Sequence, residues 1–235
     1  MNQAPSSVSI VVMAFNECQS LGEVVQEISA VLDKLPTASH EIVIVDDGSS
    51  DGTGARADEI AANNKRVRVV HHVVNQGLGG VYRTGFAQAR GDFLSFFPAD
   101  GQFPAEIIER FYSMMPTHDL ILGYIPRADA GPVAKGLSLA EKVLYRALFG
   151  PMPRYQGVFM LRREVLSRTP LHTQGRGWGV VMELVLKIHR GGYRVSSVLT
   201  PFRPRMAGRS KVNNVRSVWA NLVQAMAMRS NLKRR

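Results

Sequence analysis

Paired aspartates close an apolar run in residues Glu41 to Thr53, EIVIVDDGSSDGT, and of all the residues in this chain they are the best suited to chemistry. Asp46 and Asp47 offer carboxylate oxygens that accept hydrogen bonds from ribose hydroxyls or from a base N–H. Ile42, Val43, Ile44 and Val45 before them show no polar alternation, the pattern of a parallel strand covered on both faces. In open α/β sheets nucleotides bind in the crevice outside the carboxyl ends of such strands, so both aspartates are expected at a binding edge. A simpler reading is an Asp/Ser helix cap after a strand. It accounts for Ser49, Ser50 or Asp51 but less well for the doubled aspartate.

The second chemical resource is cationic. Twenty-nine Lys and Arg against 19 Asp and Glu give a formal charge of +10. From Pro201 onward the chain carries Arg203, Arg205, Arg209, Lys211, Arg216, Arg229, Lys233, Arg234 and Arg235 and no acid at all. Phosphates and anionic lipid head groups fit that excess. Nucleic acid is set aside, because no base-reading motif accompanies it. His71, His72 and His189 have no ligand spacing with another His or with Cys, which argues against zinc. The single cysteine, Cys18, excludes an intramolecular disulfide and fits a reducing cytosol.

The elements that must position these groups alternate along the chain. Val8 to Met13 reads as a strand, and Leu21, Val24, Val25, Ile28, Val31 and Leu32 form one face of a helix. After the DDGSSDGT turn come a helix over Ala55 to Asn63, a strand over Val67 to Val74, a helix over Gly79 to Arg90 and a strand over Asp92 to Phe97. Further on, strands are expected at Leu120 to Gly123, Gly157 to Leu161 and Tyr193 to Leu199. Helices are expected around Leu137 to Leu148 and over Val180 to His189. Such alternation implies an α/β fold with a largely parallel sheet flanked by helices. At 235 residues one such domain is expected, over 1–211. Val215, Val218, Trp219, Leu222, Val223 and Met226 then predict a basic amphipathic C-terminal helix over 212–235, suited to a membrane interface or to packing. The N-terminus lacks the pattern of a secretory signal, and no apolar run reaches the ~18 residues that span a bilayer.

Four segments in order carry a resemblance: AFNE at Ala14 to Glu17, the VDDGSSDGT turn, NQGLGG at Asn75 to Gly80 with GFAQARGD following, and PADGQF at Pro98 to Phe103. Together they resemble family-2 glycosyltransferases of the Rossmann-like GT-A fold, and most of all the polyprenyl-phosphate and dolichol-phosphate sugar synthases. GVFMLRREVL from Gly157, GWGVVMEL from Gly177, GGYRV from Gly191 and RMAGRSK from Arg205 extend the likeness to Lys211.

The resemblance implies roles. Phe15, Asn16, Glu17, Asp46 and Asp47 would line the nucleotide of an activated sugar, and Gly77, Gly79 and Gly80 would allow close approach of backbone to ligand or tight helix packing. Asp100, with Gln102, would hold Mg2+ or Mn2+ on the diphosphate. Arg127, Arg205 and Lys211, with Ser210, would clamp an acceptor phosphate. Glu183 would support the acceptor site or pair with an Arg, and Trp178 would stack on a sugar, edge the acceptor groove or anchor a loop. Two departures stand out. The usual Asp-x-Asp is Pro98-Ala99-Asp100 here, and Pro153-Arg154-Tyr155-Gln156 replaces an Asp and Ser ahead of Gly157.

The expected protein is therefore an inverting glycosyltransferase that uses a nucleotide-sugar donor and a lipid-phosphate acceptor. It is expected in the cytoplasm, peripheral on an anionic membrane surface at its cytosolic face, with a membrane protein or a second copy as a further partner. Alternatives are a family-2 transferase with another acceptor, such as a polysaccharide, and a catalytically weak GT-A binding module, which Pro98 and Pro153 favour.

Overall fold

Ile42 to Val45 are buried because the strand that carries them is covered on each side. This strand, β2 (His40–Asp46), runs parallel to β1 (Val8–Ala14) and to β3 (Val67–His71). Its side chains alternate between two cores. Ile42 and Ile44 belong to the core that buries α1 (Leu21–Leu32), and Val43 and Val45 to the one that buries α3 (Gly77–Gln88) and α6 (Gly179–Arg190). Helix α1 buries Leu21, Val24, Val25, Ile28 and Leu32, the stripe its spacing predicts. Each such side chain contributes about 1.5–3 kcal/mol when fully buried.

The computed structural model describes residues 6–125, 146–147 and 149–206. The remaining strands are β4 (Phe93–Pro98), β5 (Leu120–Tyr124), β6 (Phe159–Arg162) and β7 (Val195–Leu199). They complete a seven-stranded sheet of order β3-β2-β1-β4-β6-β5-β7. Strand β6 alone runs against its neighbours, so the carboxyl ends of the other six strands share one edge. The expected α/β class and largely parallel sheet are what the chain forms.

Several boundaries differ from expectation. β3 ends at His71, three residues before Val74, and α3 begins at Gly77. The amide of His72 donates to the Asp46 carbonyl, after which the chain turns away from the sheet. α2 (Thr53–Asn63) starts earlier than expected, while α4 (Ile107–Met114), a 3₁₀ turn at Met115–Thr117 and α5 (Arg163–Ser167) were not anticipated. The helix expected around Leu137 to Leu148 lies mostly outside the described residues, and Arg127, Ser210, Lys211 and the segment 212–235 lie wholly outside them. No helix among the described residues is long and apolar enough to cross a membrane.

Candidate active site

Asp47 is 3% exposed, and each of its carboxylate oxygens holds two groups of the loop between β3 and α3. Oδ1 lies 2.7 Å from His72 Nδ1 and accepts the Gln76 amide at 2.8 Å. Oδ2 accepts Asn75 Nδ2 at 2.8 Å and the Gly77 amide at 2.9 Å. An ionised carboxylate only accepts, which places a proton on His72 Nδ1; Nε2 then faces Thr84 Oγ1 at 2.8 Å. The DDGSS strand end thus orders the NQG loop, and any nucleotide contact Asp47 makes is additional to these bonds. Asp46 accepts the Ser49 amide at 3.1 Å and sits 3.1 Å from His71 Nδ1, while His71 Nε2 lies 3.0 Å from Asp58. The bonds to Asp58 and Asp46 raise the pKa of His71 above its ordinary value.

The end of β1 is tied to the same turn. Asn16 takes a left-handed conformation (φ 53°), its amide donates to Ser49 Oγ at 2.9 Å and its Oδ1 accepts the Ser50 amide at 2.8 Å. The Glu17 amide donates to Thr53 Oγ1 at 2.8 Å. Phe15 and Asn16 are half-buried on this loop, and Glu17 is buried.

At the end of β4, Asp100 is 6% exposed and its Oδ1 accepts the Gln102 amide at 3.0 Å. Arg205 meets it from the far end of the described chain. One guanidinium nitrogen lies 2.6 Å from Glu17 Oε1 and the other 2.8 Å from Asp100 Oδ2. Backbone bonds hold Arg205 there: the Arg203 amide donates to the Gln102 carbonyl at 2.9 Å and the Met206 amide to the Asp100 carbonyl at 3.1 Å. The structure therefore brings Glu17, Asp100, Gln102 and Arg205 together across the ends of β1 and β4. Asp46, Asp47, Gly77 and Gly79 gather at the neighbouring ends of β2 and β3.

Gly79 serves packing. A Cβ there would come 2.1 Å from the Gly175 carbonyl oxygen, and its amide donates to the Arg176 carbonyl at 2.8 Å. Glu183 pairs with Lys187 at 2.8 Å, not with an arginine, and accepts the amides of His172 and Thr173. Burial by itself would raise its pKa, but the Lys187, Thr173 and His172 bonds outweigh burial and lower it. It fixes the loop that reaches α3 through Gly175. Trp178 is half-buried with its ring 6.1 Å from that of Tyr155, the contact of a loop anchor.

The end of β4 offers a divalent cation one carboxylate, that of Asp100. Pro98 has no side-chain oxygen, and no group of three His, Cys, Asp or Glu among the described residues is arranged to hold a metal. Asp100 already answers Arg205 and the Gln102 amide. This donor set fits a cation that arrives on a diphosphate, which supplies most of the oxygens, better than one bound to the free protein.

His72 and Arg176 escaped the sequence reading. Arg176 binds the Asn75 carbonyl at 2.7 Å and Asn75 Oδ1 at 2.6 Å, and His72 braces Asp47. In the sequence His72 falls inside the strand expected over Val67 to Val74, and nothing local marks Arg176.

Comparison with known proteins follows the same lines. The sequence profile described as "Glycosyl transferase family 2" matches residues 9–169. The chain is similar to the undecaprenyl-phosphate mannosyltransferase of Micrococcus luteus, 29% identical over 218 residues that cover 88% of this chain and 87% of that one. It is similar to the polyprenol monophosphomannose synthase of Mycolicibacterium smegmatis, 30% identical over 233 residues, covering 92% and 83%. In fold it is similar to mannosyl-3-phosphoglycerate synthase of Rubrobacter xylanophilus, with a TM-score of 0.71 at 20% identity over 97% of this chain and 75% of the other. Glucosyl-3-phosphoglycerate synthase of Mycobacterium tuberculosis, solved with Mn2+, UDP and phosphoglyceric acid, gives 0.65 at 21% identity over 94% and 78%.

Proposed function

This chain belongs to glycosyl transferase family 2 and is a glycosyltransferase of GT-A fold, and we propose that it moves a sugar from a nucleotide-sugar donor to a polyprenyl phosphate in one inverting displacement. The observation that carries this reading is the single guanidinium of Arg205 joining Glu17 to Asp100. It sets a guanidinium, a group suited to phosphate, beside two carboxylates at the carboxyl-end edge of the sheet, the crevice in which we propose the nucleotide diphosphate sits.

In the proposed reaction a phosphate oxygen of the acceptor attacks the anomeric carbon, the new C–O bond forms, and the bond to the diphosphate breaks with its electron pair leaving on the nucleotide. A phosphate monoester has a second pKa of about 6, so near neutral pH no base is required to deprotonate it. The loop held by Asp47, with Phe15, Asn16 and Glu17, shapes the nucleotide pocket. Asp100, with Gln102, would hold Mg2+ or Mn2+, which neutralises charge on the leaving diphosphate. Arg205 swings from its carboxylates to phosphate oxygens, a geometry that its planar fork suits. Arg127 and Lys211 are proposed to complete the acceptor clamp.

The relatives named for polyprenyl substrates support the lipid acceptor. The acid-free basic run after Pro201 supports a peripheral position on an anionic, cytosol-facing membrane. A second reading, a catalytically inactive binding module, is favoured by Pro98 and by the closed Arg205–Asp100 pair. Turnover of a panel of nucleotide sugars, with and without a short-chain polyprenyl phosphate, separates the two. Lipid-dependent release of nucleotide diphosphate supports the transferase, and nucleotide binding without turnover supports the module.

A further inference from the structure

Five large apolar side chains are exposed among the described residues: Val73 (99%), Val74 (67%), Leu78 (40%), Leu199 (46%) and Phe202 (48%). All five lie at the sheet edge that holds the site. Val73, Val74 and Leu78 follow the end of β3, and Leu199 and Phe202 sit at and just beyond the end of β7. β3 and β7 are the two outermost strands. Six strand spacings of about 4.8 Å separate them, about 29 Å in all, with the ends of β1, β2 and β4 between.

Each outpost has a guanidinium with no carboxylate partner among the described residues. Beside the β3 loop, Arg176 contacts only the carbonyl and side-chain oxygen of Asn75, one residue after Val74. Near the β7 end, Arg154 lies 5.7 Å over the ring of Tyr124, the register partner of Leu199. Apolar tips flanked by guanidiniums without a carboxylate partner among the described residues match a bilayer whose acyl boundary takes the tips and whose anionic head groups take the charge.

We propose that this strand-end edge is the membrane-docking face, with Val73, Val74 and Leu78 at one end and Leu199 and Phe202 at the other seated in the interface of an anionic bilayer. Such a face would hold the site over the lipid surface from which a polyprenyl phosphate rises. The proposal rests on the lipid-acceptor reading for its purpose, and it is tested without that acceptor.

The test is co-sedimentation of the full chain with phosphatidylcholine vesicles, with and without phosphatidylglycerol. Binding is expected on the anionic vesicles, and V73D/V74D and F202D are each expected to weaken it by about tenfold. The side chains of Val73 and Val74 stand clear of the core, so V73D/V74D should keep its thermal stability. Vesicle binding undiminished in both variants overturns the proposal. So does an absence of wild-type binding to the anionic vesicles, and a dimer in size exclusion that V73D/V74D dissolves would then assign the face to a second copy. Wild-type protein that docks through these residues yet transfers sugar to no lipid phosphate removes the acceptor reading and leaves the docking face standing.

Discussion

Arg205 lies 2.8 Å from Asp100, so a residue matched to the acceptor side is ion-paired with the residue matched to the leaving group. The same guanidinium reaches Glu17 at 2.6 Å. Both carboxylates are nearly dry, and breaking a buried pair by removing one partner costs about 3–5 kcal/mol. Arg205→Ala should therefore lower stability in urea by an amount near the bottom of that range, because Arg205 itself keeps some water contact, and should abolish sugar transfer. Arg205→Lys should recover much of the stability and little of the activity, since an ammonium cannot span two carboxylates as the planar fork does.

Metal binding should follow the donor. With Asp100 as the one carboxylate at the end of β4 and Arg205 already upon both it and Glu17, titration calorimetry should find negligible Mn2+ binding to the free protein and clear binding once nucleotide diphosphate is present. Pro98→Asp should allow binding without nucleotide. Equal Mn2+ affinity with and without nucleotide would show a complete site in the free protein.

Asp47 acts through the loop it orders. Asp47→Ala removes an acceptor from His72, Asn75, Gln76 and Gly77 together. Nucleotide affinity should fall by about 1.5–3 kcal/mol, the range for hydrogen bonds to a charged group. His72→Ala should produce a smaller loss of the same kind, although the imidazole is buried under the loop. Calorimetry on both folded variants tests this, and unchanged affinity in Asp47→Ala would remove the loop from the nucleotide pocket.

Gly79→Ala should destabilise the fold by about 1–3 kcal/mol, since its methyl would collide with the Gly175 and Gly177 carbonyls. Chemical denaturation reads this directly.

Two groups give opposite pH signatures. The raised pKa of His71 means its pairing with Asp58 and Asp46 stabilises fully below the unfolded value of about 6.5 and is lost as pH rises through the folded value. The lowered pKa of Glu183 means its contribution is present above its ordinary value of 4.5 and is lost as pH falls through the folded value. The stability difference between wild type and His71→Asn should therefore shrink on the alkaline side, and that for Glu183→Gln on the acid side.

Much of this arrangement was legible in the chain. The unbroken run Ile42 to Val45 announced a strand covered on both faces, and the two cores bear that out. The end of β3 was misplaced because Val73 and Val74 prolong an apolar pattern, although the chain has already left the sheet. α4 went unread despite Ile107, Ile108 and Phe111, since eight residues after a Pro- and Gly-containing turn give a short period. The meeting of Arg205 with Glu17 and Asp100 depends on closure between residues far apart in sequence. No local pattern encodes it, and the resemblance assigned these three residues to separate tasks.

The most direct test of the central claim is the initial rate of nucleotide diphosphate release by the full chain across a panel of nucleotide sugars, with and without a short polyprenyl phosphate, with Asp100→Ala alongside. The account predicts turnover of one donor that requires the lipid phosphate, yields a glycosylated lipid and disappears in Asp100→Ala. Turnover indifferent to the lipid, or full activity in Asp100→Ala, would contradict it.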